Sequence, residues 1–224
     1  METRNYRLDL WKEFMERTPY IPEHLREVMG AVAVCYIDDT SFLSKVYAAF
    51  VERDRYLEDE ENGVVYERDG EYYVLSHNGK ECVFLEGEFK KILTGLLDLL
   101  EDTLPLGTVV DLKKEAYKEV EELAEVENIR IVITYRFLGK EENDYYFPYA
   151  GVVFPTGMMG RKEVLYFTRT LVDKVIHKGY TDEVDQAYVH FVKQELVIEK
   201  GKNTFGYATP EEIKKFNKVV KGDE

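Results

Sequence analysis

The chain has 224 residues, of which 45% are hydrophobic and 33% charged, and its formal net charge is −14 at pH 7. This length and composition predict one large or two small globular domains, and they exclude a disordered or fibrous protein. Residues 1–104 carry 12 Lys and Arg against 23 Asp and Glu, a net charge of −11. An acidic surface repels phosphate backbones and anionic lipid, so we expect neither nucleic acid nor a membrane surface as partner. A basic protein surface fits better, and the acidity also serves solubility.

The cysteines and the N-terminal segment indicate in which cellular compartment the protein is expected. Cys35 and Cys82 each lie in an apolar run without CxxC spacing, which predicts free thiols, although one disulfide between them stays open. The N-terminal segment lacks the apolar centre of a signal peptide, and no apolar run is long enough to span a bilayer. We therefore expect a cytoplasmic protein.

The first 37 residues favour helices. Apolar spacing predicts a helix over residues 8–15 that docks through Trp11, with a role of this residue as a peptide-groove anchor as the alternative. Prolines before residue 23 predict a turn, followed by a helix over residues 22–29 that ends at Gly30. The apolar run 31–37 fits a buried strand or a buried helix.

The rest of the N-terminal half predicts helices around an antiparallel sheet. Residues 38–41 offer an N-cap for a helix reaching Val51, and the acidic residues 58–61 are expected to form a loop. Three β-rich runs follow, separated by Asp-Gly and Asn-Gly turns that favour tight hairpins, at residues 64–66, 72–75 and 82–85. A helix with one leucine-rich side is predicted over residues 89–100.

A breaker segment at residues 104–108 predicts a boundary between an acidic domain over residues 1–103 and a second domain over residues 104–224. The second domain is predicted to contain strands at residues 108–112, 129–138, 151–154 and 164–167. The charged segment 113–128 fits a helix or an extension of a hairpin. The predicted fold class is α+β: an antiparallel meander with flanking helices, then a small mixed sheet with C-terminal helices.

Three helices are predicted near the C-terminus. The first follows residue 167 and ends at Gly179, which favours a left-handed stop. Thr181 is expected to cap the second, whose apolar positions follow the helical period, namely Val184, Ala187, Tyr188, Phe191, Val192 and Leu196. A capping box at residues 209–212 predicts a last helix through residue 219.

Residues of the types that bind metals or phosphate, or act as nucleophiles, do not form a known sequence motif. The four histidines, His24, His77, His177 and His190, lack metal-ligand spacing. The glycines at 157 and 160 do not form a phosphate loop, and a GxSxG nucleophile elbow is absent. We therefore expect no enzyme, metal, cofactor or small-molecule substrate.

An aromatic cluster is the best candidate for a binding surface. It consists of Tyr145, Tyr146, Phe147 and Tyr149. Tyrosine gives a large contact area and a polar tip at low entropic cost, which is typical of protein interfaces. The alternative is that these rings pack beneath the adjacent loop.

Three segments of the second half carry a resemblance to a known family. They read LPLGTVV at residues 104–110, YAGVVFPTG at 149–157, and a stretch from Tyr166-Phe167 to KGYTDE at 178–183. In this order they resemble the bacterial family of unknown function encoded beside LXG toxins in Gram-positive type VII secretion loci. The chain departs from that pattern in its charged segment 113–128 and in its additional N-terminal half.

The resemblance implies a non-enzymatic accessory protein. We expect an adaptor or chaperone that binds an LXG toxin, or the small helical partners that target it, and helps to bring the toxin to the secretion machinery. An immunity protein that neutralises a toxin domain is the alternative, because concentrated acidity suits a basic toxin domain.

Overall fold

The computed structural model describes residues 6–114, 129–141, 143–159, 164–208 and 213. The chain divides into two compact units: unit 1 contains Met1–Asp102 and Lys193–Gly201, and unit 2 contains Thr103–Val192 and Lys202–Glu224. The predicted α+β class is confirmed. Most of the charged segment 113–128 and of the last predicted helix lies outside the described residues.

Unit 1 combines four helices with an antiparallel sheet. The helices are α1 (Tyr6–Arg17), α2 (Glu23–Tyr36), α3 (Ser41–Glu52) and α4 (Glu86–Leu100). The sheet contains β1 (Tyr56–Asp59), β2 (Val64–Asp69), β3 (Tyr72–His77) and β4 (Lys80–Leu85), in that spatial order. The predicted meander is confirmed as β2–β4.

Strand β1 includes Glu58 and Asp59, so the loop expected at residues 58–61 is wrong for these two residues, whereas residues 60 and 61 lie in a turn. Its backbone pairs antiparallel with β2, from Tyr56 opposite Glu67 to Asp59 opposite Val64. Side chains alternate across a strand, so Glu58 remains exposed while Asp59 turns inward. There Asp59 accepts a hydrogen bond of 2.8 Å from the Tyr36 hydroxyl. Backbone pairing thus outweighs the acidic composition.

Helix α2 continues through Gly30, so the predicted helix end at this residue is wrong. The same helix resolves the open choice for the run 31–37, which is helical through Tyr36. Buried residues lie on both sides of the glycine, at Met29 and Val32. Packing of this continuous apolar face stabilises the helix where the local glycine signal opposes it.

Gly30→Ala is expected to raise the free energy of unfolding by about 0.5–1 kcal/mol, because glycine inside a helix loses more backbone entropy on folding than alanine. A Cβ atom at this position would meet no heavy atom within 4 Å. Urea denaturation followed by the fluorescence of Trp11, the only tryptophan, measures the change. An unchanged or lowered stability would contradict this expectation.

Trp11 and Phe89 organise the core of unit 1. Trp11 is buried, its ring stacks on Phe14 at 5.3 Å, and its Nε1 donates to the Met29 carbonyl at 3.1 Å. The predicted docking role of Trp11 is therefore confirmed. Phe89 from α4 lies among four other rings at centroid distances of 5.4–6.2 Å, those of Phe50, Tyr66, Tyr73 and Phe84.

Residues 193–201 join unit 1 at the C-terminal end of α4. The Lys193 ammonium donates to the carbonyls of Asp98 at 2.8 Å and Glu101 at 2.6 Å, and Arg7 donates to the Leu100 carbonyl at 2.8 Å. The last carbonyls of a helix lack partners within the helix and carry partial negative charge. Two cations satisfy them here, although burial lowers the pKa of Lys193.

Within its described residues, unit 2 is built on a sheet of six strands, five of them in one path and the sixth beside it. Its strands are β5 (Val109–Leu112), β6 (Ile129–Leu138), β7 (Tyr145–Val153), β8 (Leu165–Phe167), β9 (Val172–His177) and β10 (Asn203–Thr204). The order is β10-β7-β6-β5-β9, with β8 also paired to β7. Only the β10–β7 pair is parallel among the described pairs. Helix α5 (Glu183–Lys193) follows, and the π-helix that continues it in the chain (Gln194–Glu199) belongs to unit 1.

Strand β9 replaces the helix predicted between residue 167 and Gly179, so that prediction is wrong. The apolar residues at 171, 172, 175 and 176 fit a helical period as well as a strand. Pairing with β5 decides between them, because it satisfies the backbone groups along that edge of β5. Gly179 consequently follows a strand and does not end a helix.

Candidate protein-binding site

The aromatic cluster lies in strand β7, and its members differ in burial. Tyr146 and Tyr149 are 2% and 1% exposed, whereas Tyr145 and Phe147 are half-buried. The Tyr149 hydroxyl accepts a hydrogen bond of 3.0 Å from the Leu104 N–H group. The expected exposed patch is therefore wrong for Tyr146 and Tyr149, whose rings belong to the core.

The two half-buried rings of the cluster pack against Phe205. The Phe205 ring lies 4.6 Å from Phe147 and 6.2 Å from Tyr145. Phe147 also contacts Tyr166 at 5.5 Å. Partner binding at the remaining exposed edges of Tyr145 and Phe147 stays a prediction.

The segments that carry the resemblance meet around Thr108. Its buried hydroxyl donates to the Pro105 carbonyl at 2.7 Å and accepts from the Gly179 N–H group at 3.0 Å. A Cβ atom on Gly179 would lie 2.1 Å from the Leu106 carbonyl oxygen, so only glycine permits this approach. The first and third segments are thus held together by backbone contacts.

Gly151 has a similar role in the second segment. Strand β7 pairs here with β6, and a Cβ atom on Gly151 would lie 2.2 Å from the Val132 carbonyl oxygen. Strand β6 also bonds to the first segment, since the Gly107 N–H donates to the Ile133 carbonyl at 2.8 Å. The resemblance therefore rests on residues that fix the scaffold leading to α5.

Asp182 caps the N-terminus of α5. Its Oδ1 atom accepts a hydrogen bond of 2.9 Å from the Asp185 N–H group, the geometry of an N-cap. Thr181 was expected in that role, and its hydroxyl instead donates to the Asp185 carboxylate at 3.1 Å. The cap therefore lies one residue later than the sequence predicted.

Helix α5 is held to unit 2 by one charged and two aromatic contacts. The Arg136 Nη2 atom lies 2.5 Å from the Asp185 carboxylate, and its guanidinium covers the Tyr188 ring at 5.5 Å. Phe137 meets the same tyrosine edge-on at 6.3 Å. These contacts fix which side of α5 faces solvent.

The apolar side of α5 is the side that faces solvent. Its four residues, which we call the α5 stripe, are exposed wholly or in part: Val184 by 77%, Phe191 by 62%, Ala187, and Tyr188 by 49%. Tyr188 lies at the edge of the stripe, where one part of its ring packs on Arg136 and Phe137. Away from the stripe Val189 and Val192 are half-buried, and Lys193 is the one buried residue of α5. The sequence predicted the helix and its apolar positions, but it did not indicate that Val184, Ala187 and Phe191 face solvent.

A second constellation, in unit 1, pairs a thiol with an imidazole. The Cys35 sulfur lies 3.8 Å from His77 Nε2, which also contacts the Asn78 amide nitrogen at 3.0 Å. A nucleophilic thiol needs a lowered pKa. Burial, and next the charge of Asp59, raise the pKa of Cys35, so this thiol is not activated. Both cysteines are free.

Across the described residues, no three His, Cys, Asp or Glu side chains are grouped closely enough to hold a metal ion. None of the helices in the described ranges has the length and apolar character needed to cross a membrane.

Comparison with known proteins identifies one family. Residues 103–188 match the family described as "Domain of unknown function (DUF4176)". No curated protein and no solved structure matches the chain significantly. The match includes the segments around Thr108, Gly151 and Gly179 and the first half of α5. Residues 103–188 are therefore similar to a domain of unknown function.

Proposed function

We propose that the protein is a non-enzymatic accessory protein that binds a cognate LXG toxin as an adaptor or chaperone for type VII secretion. The observation that carries this proposal is the solvent-facing α5 stripe. An amphipathic helix normally turns its apolar side to the core, and an exposed apolar patch is typical of a protein–protein interface. The toxin as partner comes from the resemblance of residues 104–183.

Helix-to-helix docking fits the stripe and the proposed partner. The stripe residues are spaced by three and four positions, the pattern with which one helix packs into the groove of another. The targeting region of an LXG toxin is expected to be helical, so it offers such a groove. The residues behind the resemblance support the proposal indirectly, because they position α5.

Pull-down with defined toxin fragments tests the proposal. The tagged full chain is co-expressed with the LXG toxin from its own locus, either as the N-terminal helical region or as the C-terminal domain. We expect capture of the N-terminal region in stoichiometric amount. If neither fragment is captured, the proposal is wrong.

An immunity protein is the second candidate, favoured by the net charge of −11 in residues 1–104. An acidic surface suits a basic toxin domain and accelerates association through long-range attraction. Capture of the C-terminal toxin domain, weakened strongly between low and moderate salt, would support this function and replace the first.

A further inference from the structure

We infer that the α5 stripe binds an amphipathic helix whose apolar side is flanked by lysine or arginine. This inference rests on the proposed function and specifies the chemistry of its partner. It commits to one face of one helix, defined above as Val184, Ala187, Tyr188 and Phe191.

The backbone of α5 determines which kind of segment can bind. Backbone groups inside a helix bond to each other, so α5 cannot add an extended strand by main-chain pairing. It presents side chains alone, from Val184 to Phe191, over a rise of about 10 Å. A partner helix places its own i, i+3, i+4 and i+7 side chains along such a line.

The charges around the stripe determine which helix fits. Asp182 and Glu183 are exposed where α5 begins, next to Val184. At the other end Lys193 is buried on the carbonyls of α4, so it offers no charge to a partner. The Arg136 guanidinium forms an ion pair with the Asp185 carboxylate, so these two charges offset each other. The N-terminal end of the stripe is therefore bordered by negative charge, which favours a basic flank on the partner there.

A second copy of the chain fits this surface less well. Each copy carries a net charge of −14, and like charge opposes association. Charge therefore favours one basic helix as the occupant.

Two synthetic peptides of about 18 residues test the inference on the full chain. Both form helices with the same leucine stripe; one carries lysine flanks and the other glutamate flanks. Fluorescence anisotropy measures their Kd. We expect the lysine peptide to bind at least about tenfold more tightly, because opposite charges border the same apolar contact.

Variants of the α5 stripe test whether the lysine peptide binds at this surface. Phe191→Ser is expected to raise the Kd of the lysine peptide by about tenfold, as truncation of an aromatic anchor does. Glu183→Lys is expected to raise the Kd of the lysine peptide by about threefold and to reduce the salt dependence of that Kd. Val51→Ser removes a comparably exposed apolar residue from α3 and is expected to leave the Kd unchanged. Far-UV circular dichroism checks that each variant folds.

The outcomes separate this inference from the proposed function. Equal Kd values for the two peptides, or a Kd unaffected by Phe191→Ser, would overturn the inference even when toxin is captured. Preferred binding of the lysine peptide without toxin capture would uphold the surface and reject the toxin as partner. Concentration-dependent dimerisation that Phe191→Ser abolishes would identify a second copy as the occupant and also overturn it.

Discussion

Gly179→Ala is expected to lower the free energy of unfolding by about 3 kcal/mol, because the added methyl group overlaps backbone that cannot rotate away. Its Cβ atom would lie 2.1 Å from the Leu106 carbonyl oxygen and 2.9 Å from the Thr108 nitrogen. Relief requires the two segments to separate, which breaks the hydrogen bond from Gly179 to the Thr108 hydroxyl. Urea denaturation followed by far-UV circular dichroism measures the loss.

Gly87→Ala is the matched control for this substitution. Gly87 lies in the first turn of α4, and a Cβ atom there would meet no heavy atom within 4 Å. Its stability is expected to stay within about 0.5 kcal/mol of the wild type or to rise slightly. Equal effects of the two substitutions would show that the close approach at Gly179 is not a constraint.

Phe89→Ala is expected to lower the free energy of unfolding by about 4 kcal/mol, through lost burial and the cavity that remains. The ring is fully buried, and its four aromatic neighbours come from α3 and three strands of the unit 1 sheet. No single neighbour can fill the space without leaving its own contacts. Urea denaturation followed by Trp11 fluorescence reports the change, since Trp11 also belongs to unit 1.

Phe191→Ala deletes the same ring from a solvent-exposed position. Because Phe191 already faces water, its removal is expected to change stability by less than about 0.5 kcal/mol. A loss for Phe89→Ala below about 1 kcal/mol would contradict the central position of Phe89 in the core. A large loss for Phe191→Ala would show that the α5 stripe is covered in the folded protein.

Much of unit 1 was predictable because its signals are local. The period of apolar residues indicated α1, α3 and α4, and the Asp-Gly and Asn-Gly turns indicated β2–β4. The errors at Gly30 and at residues 58 and 59 arose where distant partners outweigh local preference. Strand β2 provides the backbone pairing for β1, and the buried face on both sides of Gly30 keeps α2 continuous.

Unit 2 was less predictable because its pairings are long-range. Residues 172–177 carry a period that fits both a helix and a strand, and only the pairing with β5 decides. The aromatic cluster begins β7, which started six residues earlier than predicted, and two of its four rings are buried. Composition alone indicated an interface there.

The candidate site shows the same division between local and distant information. The sequence predicted α5 and its apolar positions, since both follow from the helical period. Which side of the helix faces solvent depends on Arg136, which is 49 residues from Asp185 in the chain. Periodicity defines an apolar side, but it does not identify what covers that side.

The α5 stripe and the two closely packed glycines have opposite consequences for how such domains can diverge. Gly151 and Gly179 leave no room for a side chain, so descendants that keep this fold are expected to keep glycine at both positions. Val184 and Phe191 contribute little burial to the fold, and substitution there costs little stability. Among relatives, the stripe can therefore change together with the partner that each one binds, while the scaffold that presents it stays fixed.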